Sequence, residues 1–303
     1  MDTLVSLFGD MIKQAMSLTK TAKVITEHNV YQEGETEILP CLDKMVEGLA
    51  LPGSALDGLE NLEELLAKAE SGKSCLLLLE HYSNMDLTTF SYFVRKAGGR
   101  GADIANAVVA IAGMKLTEEN PTVAALASAY TRLVIYPSRS LQGLNGEKAH
   151  DEIIRSNAIN RAAMKVLNEI KLRGKLILVF PSGTRYRAWD PSTKKGVREI
   201  DSYLRSFDYL CPVAMNGNLL RVSEEGGMED DPAVRDIVRI TAGPVLDCAE
   251  FREKARAEAE ARMALPGQEG IEDKKQAAVD AVMARLEEMH IAAEEKRQKL
   301  LNQ

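Results

Sequence analysis

The stretch Cys75-Leu76-Leu77-Leu78-Leu79-Glu80-His81-Tyr82-Ser83-Asn84-Met85-Asp86-Leu87-Thr88 decides how the rest of the chain is read. Four consecutive leucines, preceded by Gly72-Lys73-Ser74 and followed by a polar turn, predict a buried strand, and Leu87 to Arg95 has the pattern of a helix. His81 then falls where the strand ends. On one continuous helix, positions five apart point about 140° away from each other, so His81 and Asp86 meet only if a turn folds the intervening residues back. A strand-turn-helix supplies that turn. A histidine whose second ring nitrogen is held by a carboxylate is a general base of fixed tautomer, suited to taking a proton from an alcohol. The same residues admit a purely structural reading, in which Ser83 caps the helix, Asp86 completes a capping box and His81 is an incidental loop residue.

Two further stretches repeat the theme of a strand that ends in a charged turn. Lys175-Leu176-Ile177-Leu178-Val179-Phe180 runs into Pro181-Ser182-Gly183-Thr184-Arg185-Tyr186-Arg187, and Leu133-Val134-Ile135-Tyr136 runs into Pro137-Ser138-Arg139. Three strand ends therefore carry one histidine-carboxylate pair and three guanidinium groups. In open α/β sheets, sites gather at the carboxyl ends of strands. From Lys171 to Ile200 basic residues exceed acidic ones by six, in a chain whose net charge is -7. A local cationic patch on an acidic protein suits a small anionic ligand better than a long polyanion, and argues against a general nucleic-acid binder. Arginine forks grip phosphate oxygens at two points, and Gly183 lets the backbone turn tightly enough to present them. Arg185 and Arg187 are the first candidates for a phosphate, with Arg139 as the third. Lys194 and Lys195 fit either a contact with phosphate, carrier protein or lipid, or a solvated loop. Backbone N–H groups of the Gly183 turn are candidate donors to an oxyanion, and the chemistry calls for no metal or other cofactor.

His81-x4-Asp86 followed by Phe180-Pro181-Ser182-Gly183-Thr184-Arg185 resembles the glycerolipid acyltransferases, which acylate glycerol-3-phosphate and lysophosphatidate. The common second motif of the lysophosphatidate branch is Phe-Pro-Glu-Gly-Thr-Arg, and Ser182 stands here where that glutamate would be. The Pro-Ser-Gly-x-Arg-x-Arg arrangement, with the later Cys211-Pro212-Val213-Ala214-Met215, is more similar to the soluble, plastid-type glycerol-3-phosphate acyltransferases. Ser140 departs from that group, which has a histidine there. The resemblance spans roughly residues 70 to 220. It implies transfer of a fatty acyl group from a thioester, acyl-carrier protein or acyl-coenzyme A, to the sn-1 hydroxyl of glycerol-3-phosphate in phospholipid biosynthesis. His81 would be the base, Asp86 its support, Arg139, Arg185 and Arg187 the phosphate ligands, and Ser182, Gly183 and Thr184 the supporting motif. The rivals are a lysophosphatidate acyltransferase and a non-catalytic lipid- or acyl-carrier-binding protein. A serine hydrolase built on Ser182 or Ser83 is disfavoured, because neither serine sits in a Gly-x-Ser-x-Gly elbow.

The remaining sequence frames this centre. The 303 residues are 45% hydrophobic and 27% charged, a globular composition. Residues 1 to 70 read as a small helical layer: a stripe of Leu4, Leu7, Phe8, Met11, Ile12, Ala15 and Met16, a pattern from Ile38 to Leu49 opened by Pro40, and a third helix from Leu59 to Ala69. The first stripe fits either a core or a membrane or carrier surface. From residue 71 to 247 strands and helices alternate, which predicts an α/β domain with a central mixed sheet covered by helices on both faces. There Ala105 to Leu116 reads as strand plus helix or as the lining of an acyl slot, Ser156 to Leu172 as a long helix, and Arg235 to Thr241 as an edge strand. Residues 248 to 303 read as two charged helices with one narrow apolar face. His28, His150 and His290 carry no partner motif. The four cysteines are scattered, and Cys75 and Cys211 lie in apolar runs, as small buried hydrophobes do. No secretory leader or spanning segment is apparent, so the expected location is cytoplasmic, with transient peripheral contact to a membrane.

Overall fold

The computed structural model describes residues 2–22, 24–118, 120–141, 147–225, 227, 230–263 and 273–302. In chain order the elements are α1 (Leu4–Leu18), β1 (Tyr31–Gln32), α2 (Leu39–Leu49), β2 (Ala55–Asp57), α3 (Leu59–Glu70), β3 (Cys75–Leu79), α4 (Asp86–Lys96), α5 (Gly101–Ala107), β4 (Val108–Gly113), α6 (Lys115–Glu118), α7 (Pro121–Ser128) and β5 (Arg132–Ile135). They continue with α8 (Glu147–Ile170), β6 (Leu176–Val179), α9 (Ile200–Ser206), β7 (Tyr209–Asn216), β8 (Arg239–Ala242), β9 (Leu246–Asp247), α10 (Cys248–Met263) and α11 (Lys274–Leu301).

The leucine run is the centre of the sheet because it is apolar on both faces. A strand that shows no alternation of polar residues must be covered twice. The sheet runs in the order β1-β5-β4-β6-β3-β7-β8-β2, with β9 also pairing β7. β3 lies parallel to β6 and to β7, with Leu78 opposite Val179 and Leu79 opposite Val213. Strands β4 and β5 share that direction, whereas β1, β8 and β9 run antiparallel to their neighbours β5 and β7. The expected mixed α/β sheet is therefore present. Side chains alternate across it. Cys75, Leu77 and Leu79 join Ile12, Leu42, Leu62, Leu65 and Phe90 of the helices on one face. Leu76 and Leu78 join Ile159, Leu204, Ala255, Val282 and Leu286 on the other. All five β3 side chains are fully buried, and each leucine contributes about 2 kcal/mol of hydrophobic stabilisation.

Several elements differ in detail from their sequence expectation. β8 is not an edge strand, because Ala55-Leu56-Asp57 forms β2 and pairs parallel with it. Three residues are too short to show a strand period, so β2 was hidden in a turn-rich stretch. α8 begins at Glu147 rather than near Ser156, since the polar residues ahead of Ser156 include no helix breaker. The apolar stretch from Ala105 is the end of α5 followed by β4. In α1 the side chains of Leu4, Ile12 and Ala15 are buried, while Leu7 and Met16 of the same predicted stripe are exposed, and the helix kinks at Phe8. α11 buries Val279, Val282, Leu286, Met289 and Ala293 and packs along β7. Among the described residues no helix is long and apolar enough to cross a membrane. All four cysteines are free and buried, and burial pushes the Cys75 thiol up to about 12.

Candidate functional site

At the carboxyl end of β3 the chain leaves the sheet and turns into α4 within six residues, and the turn is built around one carboxylate. Asp86, 2% exposed, is the first residue of α4. Its Oδ2 accepts from the Tyr82 N–H at 2.6 Å and the Ser83 N–H at 2.8 Å, and its Oδ1 accepts from the Ser83 hydroxyl at 2.7 Å. A negative charge at a helix start is stabilised by the peptide dipoles, and here it also organises the loop. The fourth partner is His81, whose Nδ1 lies 2.8 Å from Oδ2. With Nδ1–H donating to the carboxylate, the lone pair is on Nε2, which has no hydrogen-bond partner among the described residues. The expected capping box is not formed, because the N-cap of α4 is Met85 without a side-chain cap bond and Asp86 is the first helical residue; Asp86 instead gathers Ser83, Tyr82 and His81. The His81 ring stacks on Phe180, centroids 4.0 Å apart and planes at 21°, and its side chain keeps 18% exposure. A base in this place is fixed on one side and open on the other.

Phe180 introduces the neighbouring strand end. Gly183 takes φ +63°, a left-handed conformation that side chains disfavour, and a Cβ there would stand 2.9 Å from Val197 Cγ1. The Ser182 hydroxyl donates to Thr184 O at 2.7 Å. The turn then returns to the first loop: the Tyr186 N–H donates to the His81 carbonyl at 2.8 Å, and the Tyr82 and Tyr186 rings meet edge to face at 5.9 Å. Tyr186 lies between Arg185 and Arg187, so the arginine turn and the histidine loop are one structure.

The guanidinium groups have different surroundings. Arg185 is 13% exposed and pairs through Nη1 with the buried Asp231, whose other oxygen takes the Ser223 N–H. Arg187 is half-buried and has no acidic partner among the described residues. Arg139 lies in the 3-10 turn Ser138–Leu141 after β5, and its side chain is outside the described residues. Part of the positive excess is neutralised from afar, since Lys194 pairs with Glu287 and Arg198 with Asp273, while Lys195 is exposed. The Gly183 N–H donates to Phe180 O and the Arg187 N–H to Thr193 Oγ1, so with Tyr186 these amides of the turn are already engaged and do not serve an oxyanion as they stand.

A family comparison bears on this geometry. The model of the Acyltransferase family matches residues 55–216, more than half of the chain. The chain belongs to the acyltransferase family. The match supports an enzyme that transfers an acyl group to a glycerolipid-type acceptor in general, and it begins at β2 and ends at the last residue of β7. No curated protein matches the chain.

Sequence reasoning passed over a second polar cluster of this acyltransferase. Glu80, 6% exposed, is the residue before His81. Its Oε2 accepts from the Met215 N–H at 2.8 Å and from His290 Nδ1 at 2.9 Å, and its Oε1 accepts from the Tyr82 hydroxyl at 3.0 Å. His290 comes from α11, 210 residues away in sequence. Burial works against its charged form, but the hydrogen bond and charge of Glu80 outweigh that and raise its pKa from the ordinary 6.5. Burial, then the Glu80 charge, pushes the Tyr82 phenol up. A charged residue closing an all-leucine strand was the visible signal. Nothing local marked His290.

Proposed function

We propose that this acyltransferase moves a fatty acyl group from a thioester donor to the primary sn-1 hydroxyl of glycerol-3-phosphate, without an acyl-enzyme. His81 Nε2 accepts the hydroxyl proton as the oxygen attacks the thioester carbonyl. Asp86 holds Nδ1 and supports the positive charge that develops on the ring. As the tetrahedral intermediate collapses, the carbon-sulfur bond breaks and the imidazolium returns the proton to the leaving thiolate. General-base help of this kind contributes about 10²–10⁴-fold, and fixing the phosphate orients the hydroxyl for further gain. Arg187, with Arg185 and Arg139, is assigned to the phosphate. The acyl donor is an acyl-carrier protein or acyl-coenzyme A, and the lipid product leaves through transient contact with a membrane surface.

Support comes from one arrangement: a carboxylate-held imidazole open at Nε2, 2.8 Å through its own carbonyl from the backbone of a turn that carries two arginines. The choice of glycerol-3-phosphate over lysophosphatidate rests on Ser182 and the Arg185-x-Arg187 pair. Purified protein is incubated with a radiolabelled acyl thioester and each acceptor in turn, beside His81→Ala. Labelled lysophosphatidate from glycerol-3-phosphate, lost in the variant, is the expected result. Labelled phosphatidate from lysophosphatidate alone moves the assignment to the other branch. Turnover by neither acceptor points to a binding protein, and full activity in His81→Ala removes the assigned base.

A further inference from the structure

The helix that meets Glu80 and Tyr82 at the end of β3 lies outside the part of the chain matched to the acyltransferase family. α11 reaches the catalytic edge at two points one turn apart. Glu287 pairs with Lys194, whose ammonium stands 5.7 Å from the Tyr186 ring centre, and His290 bonds Glu80. A side-chain amide keeps the helix in that position: Nδ2 of the buried Asn216 at the end of β7 donates to the His290 carbonyl and to the Glu294 carboxylate, each at 2.9 Å. Arg297, one turn further on, pairs with Asp236 and Glu294. His290 is therefore not a surface histidine that happens to face an acid.

We propose that His290 and Glu80 are positioning residues of the acyl-transfer site, holding Tyr82 so that the loop carrying His81 presents its base in one geometry. This rests on the assignment of His81 as the base. Tyr82 connects the two carboxylates. Its hydroxyl donates to Glu80 at 3.0 Å and lies 3.2 Å from His290 Nδ1, while its N–H donates to Asp86 at 2.6 Å. Its ring also meets Tyr186 in the arginine turn. Side chain and backbone of one residue thus tie the C-terminal helix to the oxygen that holds His81. Without the His290 donor, the buried Glu80 carboxylate loses one of three hydrogen bonds and the phenol loses the ring it packs against at 5.5 Å. The charged groups facing His290 are Glu80 from the β3 end, Lys194 from the turn before α9, and Glu287 of its own helix.

The test measures kcat, acceptor KM and melting temperature for wild type, H81A, H290A, H290N and Y82F with an acyl thioester and glycerol-3-phosphate. Asparagine places an amide N–H near the position of Nδ1. H290A should lower kcat about tenfold, the scale of one charge-assisted hydrogen bond, with acceptor KM changed less than about twofold, and H290N should recover most of the loss. Y82F should lose several-fold in kcat and serves if H290A does not fold. An H290A enzyme that melts earlier but turns over within about twofold of wild type overturns the proposal, as does a loss that H290N fails to restore, or an unfolded H290A beside a fully active Y82F. Active wild type, inactive H81A and unaffected H290A would leave the base in place and reject the positioning role. A wild type without turnover of either glycerol-3-phosphate or lysophosphatidate rejects both.

Discussion

Asp86→Asn separates the charge of the carboxylate from its geometry. Oδ2 takes three N–H donors, from His81, Tyr82 and Ser83, and Oδ1 takes the Ser83 hydroxyl. Only one orientation of an asparagine avoids donors facing donors: its carbonyl oxygen at the Oδ2 position and its amide toward Ser83 Oγ. The serine oxygen already accepts the Met85 N–H at 3.1 Å and has a second lone pair for the amide, so the loop can keep its shape. What disappears is the negative charge beside the ring. A full imidazolium about 4 Å from a carboxylate is stabilised by about 4 kcal/mol at an effective dielectric near 20. If the proton is about half transferred in the transition state, about 2 kcal/mol is lost, or roughly 30-fold in kcat, and roughly 10³-fold is the ceiling. The assay is initial-rate formation of labelled lysophosphatidate at saturating acceptor, beside a thermal melt. Expected are a kcat reduced between these limits, an acceptor KM close to wild type, and a melting temperature within a few degrees. A kcat within about threefold of wild type would refute the claim that this carboxylate supports the charged ring.

The two arginines of the turn should separate. Arg185→Ala leaves Asp231 buried without its cation and should destabilise the fold by about 3 kcal/mol, seen as a lower midpoint in urea. Arg187→Ala should leave that midpoint unchanged and raise acceptor KM roughly 10- to 100-fold, and an unchanged KM would remove Arg187 from the phosphate. Gly183→Ala forces a side chain into φ +63° against Val197, so it should lose about 1–2 kcal/mol and lower kcat as the turn shifts; an unaltered melt contradicts the geometry. The His290–Glu80 pair gives a pH dependence of known sign. Because the folded-state pKa of His290 is raised, its contribution to stability is complete below about pH 6.5 and is lost as pH climbs through the higher folded value. The melting-temperature gap between wild type and H290N should therefore be widest in mild acid and narrow as the pH rises through the raised folded value, and a gap that widens with pH would be inconsistent with the pair.

What could be read from sequence follows from how local each feature is. β3, β6 and β5 show as apolar runs with turn residues at their ends, and α2 and α3 show as leucine stripes, because burial writes a period into a few neighbouring residues. The His81–Asp86 pair is equally local, since one turn closes it. β1 and β2 are two and three residues long and carry no period, and with β2 unseen β8 looked like an edge. The partners of Arg185 and Glu80 lie far along the chain, Asp231 in a loop rich in acid and glycine and His290 on a charged helix. No spacing rule reaches across those separations. The sequence therefore displayed the arginines as free cations, whereas one of them is held by a buried acid.

That difference changes how the positive turn works. A guanidinium already paired with a buried carboxylate is held in orientation before any ligand arrives, and it still has N–H groups beyond the one that Asp231 occupies. An unpaired Arg187 next to it supplies net charge without a competing acid among the described residues. One arginine is thus fixed and the other available, and the same division holds for the two carboxylates: Asp86 holds the ring of the proposed base, and Glu80 holds the Tyr82 hydroxyl. A site that must align an alcohol with a thioester gains most from groups that do not reorganise during the reaction. The buried acids hold side chains at the β3 and β6 ends: Asp231 the Arg185 guanidinium, Asp86 His81 and Ser83, and Glu80 Tyr82 and His290. Ser223, Asp231 and His290 come from beyond the matched domain. Residues after Asn216 therefore help to build the proposed site, and cutting the chain there would leave the motifs intact while removing the partners of Arg185 and Glu80.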